Sequence, residues 1–99
     1  MKKVFFIGIN GIGMSGLAKI MAKSGYCVSG SDQTKKDVSI ELESLGVKIH
    51  YKHDAKNVEG IDLVVRSSAI KEGNPEYKHT LRISSRFFPL FHRPRNGYI

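Results

Sequence analysis

Four glycines fall within residues 8–16, immediately behind an unbroken apolar run, Val4-Phe5-Phe6-Ile7. A run without polar alternation predicts a strand covered on both faces, as in a parallel sheet. After the glycines, Met14, Leu17, Ala18, Ile20 and Met21 recur at helical spacing, which predicts a helix over residues 12–23. The turn between the two contains G-x-G-x-x-G as Gly11, Gly13 and Gly16. Between a strand and a helix, this pattern reads as a phosphate-binding turn. Gly11 is expected to permit the tight turn, Gly13 to let the backbone approach a diphosphate, and Gly16 to let the helix lie close to the strand. The N–H groups at the helix start would face the anion. The candidate contacts are Gly11, Ile12, Gly13, Met14, Ser15 and Gly16. A glycine turn that only packs is the other reading.

The alternation continues along the chain. Gly25 stands where a helix C-terminal glycine belongs, and residues 26–29 read as a second strand. Val38, Leu42 and Leu45 predict a helix over residues 37–45, ended by Gly46. Residues 47–51 read as a third strand, 53–58 as a single helical turn and 61–65 as a fourth strand. Asn74-Pro75-Glu76 has the form of a helix start, with a cap residue, a proline in the first turn and an early acid. This order predicts an α/β fold, a Rossmann-like doubly wound parallel sheet in a single small domain over residues 1–80.

Residues 81–99 depart from that pattern. The first 80 residues hold 11 lysines and one arginine, whereas the last 19 hold four arginines and no lysine. Phe87, Phe88, Phe91 and Tyr98 show no periodicity among Pro89 and Pro94. The expectation is a basic, aromatic tail outside the regular fold. A shifted reading frame or an artificial chain end would each produce such a switch.

The charge distribution narrows the function. Of the formal net charge of +7, residues 1–76 account for only +2, with 11 basic and 9 acidic side chains. The body is nearly neutral, which argues against a nucleic-acid partner. The apolar opening is interrupted by Gly8, Asn10, Gly11 and Gly13, so it reads neither as a signal peptide nor as a membrane span. The one cysteine, Cys27, falls in the second strand and is read as a small core hydrophobe in a reducing compartment. No spacing of His50, His53, His79 and His92 suggests a metal site, and no catalytic constellation is legible.

Three further places are candidates for ligand contact. Asp32 ends the second strand about 20 residues after the glycines, where an acid accepts hydrogen bonds from a ribose. A helix cap or a solvated turn is the plain alternative. Ser67 and Ser68 follow the fourth strand at the carboxyl edge of the sheet, where open α/β folds bind ligands. His53, beside Asp54, follows the third strand and by itself reads as a surface or helix-start histidine.

Taken together, these residues resemble the Mur ligases, and among them the UDP-N-acetylmuramate–L-alanine ligases. The resemblance is carried by the run from Gly8 to Ala18, by Gly25-Tyr26 through Ser29-Gly30-Ser31-Asp32, by His53-Asp54, and by Val64-Val65-Arg66-Ser67-Ser68-Ala69-Ile70 followed by Asn74-Pro75-Glu76. It covers residues 3–80. Asn10 and Lys52 stand where the family has glycine, and Arg66 is a further departure.

The resemblance implies a cytoplasmic enzyme that joins L-alanine to UDP-N-acetylmuramate in peptidoglycan synthesis, with ATP and magnesium. It implies that an N-terminal domain holds the UDP-sugar, with the glycine loop at the diphosphate, Asp32 and His53 near the uridine, and Ser67 near the diphosphate or sugar. The family's ATP loop lies in a central domain, and nothing of the form G-x-x-x-x-G-K-[ST] occurs here. The expectation is a chain that binds UDP-N-acetylmuramate, carries no cofactor of its own and works with central and C-terminal domains it does not contain. The competing readings are an NAD-binding domain, a nucleic-acid module using the tail, and a sister ligase that recycles murein tripeptide.

Overall fold

The computed structural model describes residues 2–67, 70, 71, 73–83 and 86–90. The elements run β1 (Lys3–Ile7), α1 (Ile12–Lys23), β2 (Cys27–Ser31), α2 (Asp37–Ser44), β3 (Lys48–His50), a 3-10 helix (Ala55–Val58), β4 (Leu63–Ser67), α3 (Pro75–Ile83) and β5 (Arg86–Leu90). All four strand pairings are parallel, in the order β3-β2-β1-β4-β5. This is the Rossmann-like α/β arrangement expected from the alternation.

The apolar run of β1 is central in the sheet because both its faces are covered. Val4 and Phe6 pack with Met14, Ala18, Val28 and Leu42 on the side of α1 and α2. Phe5 and Ile7 pack with Val58 and Val64 on the other, where Ile61, Ile70 and Tyr77 join them. Phe5 and Phe6 are fully buried on opposite faces. Truncating either to alanine would cost about 3–5 kcal/mol. Among the described residues no helix is long and apolar enough to cross a membrane.

Two expectations give way here. Residues 86–90 are not irregular: they form β5, paired along its length with β4. The aperiodic run Arg86-Phe87-Phe88-Pro89-Leu90 serves as an edge strand, the place in a sheet where a proline without an N–H is tolerated. Residues 91–99 lie outside the described residues. Cys27 is exposed, not a core residue. It opens β2 opposite Lys3, also exposed, at the amino end of the sheet, and burial sets in only from Val28 onward.

The glycines divide their roles differently from the motif. The positive φ belongs to Gly8, at 82°, while Gly11 has an ordinary φ of −60°. A Cβ on Gly16 would meet nothing within 4 Å among the described residues. The close approach is instead at Gly30 in β2, where a Cβ would lie 2.6 Å from Ile9 Cδ1 and 2.7 Å from the Phe6 carbonyl oxygen.

Gly30→Ala is therefore expected to destabilise the fold by about 1–3 kcal/mol, because the methyl would overlap backbone as well as side chain. Gly16→Ala is expected to stabilise it by about 0.5–1 kcal/mol, the usual advantage of alanine over glycine within a helix. Urea unfolding of both variants checks the pair, and equal midpoints would remove Gly30 as a packing constraint.

Candidate functional site

Every strand of the parallel sheet ends on the same edge, and the connections leaving β1, β2, β3 and β4 meet there. They enclose a cleft of about 600 Å³ lined by Gly8, Asp32, Gln33, His53, Ile70, Lys71, Gly73, Asn74 and Pro75. β1 lies between β2 and β4, so the cleft sits where the strand order reverses direction, the usual ligand position in open α/β sheets.

The glycine loop forms one wall. The N–H groups of Gly8 and Ile9 both donate to the carbonyl of Ser31, at 2.9 and 3.0 Å. α1 then starts at Gly11 with no side-chain cap. The first N–H groups of a helix have no partner within the helix. Those of Ile12, Gly13 and Met14 have no hydrogen bond among the described residues. Ile12 projects into solvent, 97% exposed. Met14 is buried in the core, and Ser15 is buried with its hydroxyl donating to the Ile12 carbonyl at 3.2 Å. The side chains of Met14 and Ser15 therefore serve packing, and only backbone is left at this corner for an anion. The residues from Gly11 to Gly16 do not themselves line the cleft, which the loop reaches through Gly8.

Asp32 is not a helix cap. Its Oδ2 accepts the Asn10 N–H at 2.9 Å and its Oδ1 accepts the Gln33 N–H at 2.8 Å. Each carboxylate oxygen has two acceptor sites, so capacity remains for ligand hydroxyls. Asn10, only 8% exposed, holds the same corner from the other side. Its Nδ2 donates to the Thr34 carbonyl at 2.7 Å, and its Oδ1 accepts from the Ser39 hydroxyl at 2.8 Å. The glycine loop, the β2–α2 connection and the first turn of α2 are thereby joined.

His53 lies on the cleft through a cluster that the sequence did not suggest. Its Nδ1 is 2.7 Å from Glu76 Oε1 and 3.0 Å from Ser31 Oγ. Glu76 is fully buried. It also accepts from the Ser31 hydroxyl at 2.6 Å, from Asn57 Nδ2 at 2.6 Å and from the Asp54 N–H at 3.3 Å. Asn74 caps α3 as its sequence position predicts, accepting the N–H groups of Glu76 at 2.8 Å and Tyr77 at 3.2 Å. Glu76 itself was legible only as an early helix acid. Nothing local in the sequence says that it turns inward to meet Ser31, 45 positions earlier.

Ser67, half-buried at the end of β4, is not among the cleft-lining residues. Its carbonyl accepts from Ile70 N at 3.1 Å and from Arg66 Nη1 at 3.3 Å. Ser68 lies outside the described residues. Arg66 is buried, with its guanidinium carbon 4.7 Å from the centre of the Tyr77 ring, so it ties the end of β4 to α3. Ile70, Lys71 and Gln33 are cleft residues that sequence reasoning passed over, since none carries a motif.

The chain is similar in sequence and in fold to known proteins. Residues 3–91 match the family described as "Mur ligase family, catalytic domain". That match runs through β5, past the boundary at residue 80 that composition suggested. A UDP-N-acetylmuramate–L-alanine ligase of Fusobacterium nucleatum is 54% identical over 79 residues, 80% of this chain and 17% of that protein. The structure of UDP-N-acetylmuramate–alanine ligase from Thermotoga maritima superposes with a TM-score of 0.84 at 31% identity, covering 90% of this chain and 21% of that one. The UDP-N-acetylmuramate:L-alanyl-γ-D-glutamyl-meso-diaminopimelate ligase from Neisseria meningitides gives 0.82 at 30%, covering 90% of this chain and 28% of that one. The chain thus spans about a sixth of the length of the relatives it matches in sequence.

Asn10→Ala is expected to cost about 1–3 kcal/mol, because it leaves the buried Ser39 hydroxyl without its amide partner and releases the Thr34 carbonyl. Denaturant unfolding measures the loss. A change within error of zero would mean that water replaces the amide and the corner is not held by it.

Proposed function

This chain belongs to the Mur ligase family, and from that premise we propose that it is the N-terminal, UDP-sugar-binding domain of a UDP-N-acetylmuramate–L-alanine ligase. The observation that carries the reading is the convergence of Gly8, Asp32 and His53 on one cleft at the strand-order reversal. The likeness to L-alanine ligases, 54% and 50% in two relatives, supports the sugar nucleotide as the ligand.

In this reading the diphosphate lies against the start of α1. There the backbone at Ile12, Gly13 and Met14 offers N–H groups and the positive end of a helix dipole. The ribose hydroxyls donate to Asp32, and the uracil lies toward His53. Ser67 and Ser68 are assigned to the diphosphate or sugar by their position after β4. The exposed Ile12 supplies apolar surface beside the phosphates.

The whole ligase would use ATP and magnesium to activate the lactyl carboxylate as an acyl-phosphate before L-alanine attacks. The residues present do not fit that group. The sequence has no G-x-x-x-x-G-K-[ST] cradle, and among the described residues no three His, Cys, Asp or Glu side chains cluster to hold a metal. In this reading the chain binds the sugar nucleotide, and ligation is completed with central and C-terminal domains in the cytoplasm. The two structural likenesses, 0.84 and 0.82, do not separate the L-alanine ligase from the tripeptide-recycling ligase. The sequence identity favours the former.

Calorimetric titration of the chain with UDP-N-acetylmuramate and, separately, NADH tests the reading. Saturable binding of the sugar nucleotide and none of NADH is expected, and the reverse would establish a dinucleotide-binding domain instead. Gly13→Val should weaken the sugar nucleotide at least about tenfold, a loss of roughly 1.4 kcal/mol, while the chain stays folded. Unchanged affinity would remove the glycine loop as the phosphate site.

A further inference from the structure

We infer that Glu76 is the positioning residue for His53: its buried carboxylate holds the Nδ1 proton and leaves Nε2 as the nitrogen offered to a ligand in the cleft. The inference rests on the reading of this cleft as the nucleotide site and adds to it the state in which the imidazole is presented.

The proton assignment follows from counting donors and acceptors. An ionised carboxylate only accepts, and it has about four acceptor sites. Four groups surround Glu76, and against an ionised carboxylate three of them donate: the Ser31 hydroxyl at 2.6 Å, the Asn57 amide at 2.6 Å and the Asp54 N–H at 3.3 Å. The fourth is His53 Nδ1 at 2.7 Å, which must bring a proton to be favourable there. Ser31 is consistent with the same count. Its hydrogen is committed to Glu76, so its oxygen, 3.0 Å from Nδ1, can only accept. Which imidazole nitrogen carries the proton is set by the bond the other one makes.

An acid in the first turn of a helix ordinarily sits in solvent, where it interacts with the helix dipole. Glu76 does not. It has no exposed surface, and it is not the cap of α3, a role taken by Asn74. It meets side chains from the end of β2, the loop after β3 and the 3-10 helix. His53, with 16% of its side chain exposed, is the member of this cluster that lines the cleft.

A chemical preference follows. With Nδ1 protonated, the neutral ring presents a lone pair at Nε2. That atom accepts from an N–H or O–H, such as a pyrimidine imide or a ribose hydroxyl. It offers nothing to a phosphate oxygen. Glu76 thereby reserves this end of the cleft for the nucleoside and leaves the diphosphate to the glycine loop.

The test is two-bond 15N–1H NMR of the imidazole nitrogens in the 99-residue chain without ligand, at a pH where the ring is neutral. The expected pattern has His53 Nδ1 protonated and Nε2 bare. A ring protonated at Nε2 would overturn the proposal without any variant being needed. A double-variant cycle with UDP as the probe then asks whether Glu76 acts through His53. Glu76→Leu, shown to be folded by its amide spectrum, should lose the single tautomer and weaken UDP about tenfold. In a His53→Ala background the same change should alter affinity less than about twofold, because interacting residues are non-additive. An equal tenfold loss in both backgrounds would show Glu76 acting independently of the histidine, against the proposal. Failure of the parent chain to bind UDP at all would count against the nucleotide reading of the cleft, and the ring measurement would still decide the Glu76–His53 assignment.

Discussion

The carbonyl of Ser31 accepts the N–H groups of both Gly8 and Ile9, and it can do so because the preceding residue, Gly30, has no Cβ. This contact seats the loop after β1 on the end of β2. Ile9 then turns into the core beside Gly30, and the positive φ of Gly8 directs the chain toward α1. A methyl group at residue 30 would push the loop off β2, and the corner where α1 begins would move with it. The cleft depends on that seat, since Gly8 and Asp32 reach it from the two strands that the contact joins.

Ser31 also connects the two halves of the site. Its main chain holds the glycine loop, and its side chain holds Glu76 of α3 and, through it, His53. The buried polar groups along this line are costly unless each is satisfied. Among the described residues they are: the carboxylate of Glu76 has four hydrogen-bonding neighbours, and both ends of the Asn10 amide are engaged. The site is thus a set of mutually dependent hydrogen bonds laid over an apolar sheet. Its outer rim remains open, with Lys71 and Gln33 exposed beside the cleft.

The places where the structure departs from sequence pattern share a cause. The motif assigned close packing to Gly16 and the tight turn to Gly11, whereas the structure gives these roles to Gly30 and Gly8. A glycine in a motif reports that a backbone is bare, not which neighbour approaches it. Cys27 was read as core from its strand, but its position along the strand leaves it at the uncovered end of the sheet. The run after residue 81 lacked periodicity, yet an edge strand needs only one hydrogen-bonded neighbour and tolerates a proline. Asn10 and Arg66 depart from the family pattern. Their partners in α2 and α3 could not be seen from the chain.

The order of elements from β1 to α3, the extent of α1, the capping of α3 by Asn74 and the class of the sheet were all written in the amino-acid sequence. Each rests on local spacing or on the backbone preferences of single residues, which act over a few positions. So was Asp32 as a candidate, because strand ends of a parallel sheet gather on one edge, whereas His53 became one only through the family resemblance. Tertiary structure alone decided that Glu76 faces inward, that Gly30 is the crowded glycine, and that Ser31 links the glycine loop to His53. Those outcomes are meetings of residues 19 to 45 positions apart. They arise from the crossing of loops above the sheet, and no local pattern encodes a side chain's distant neighbour.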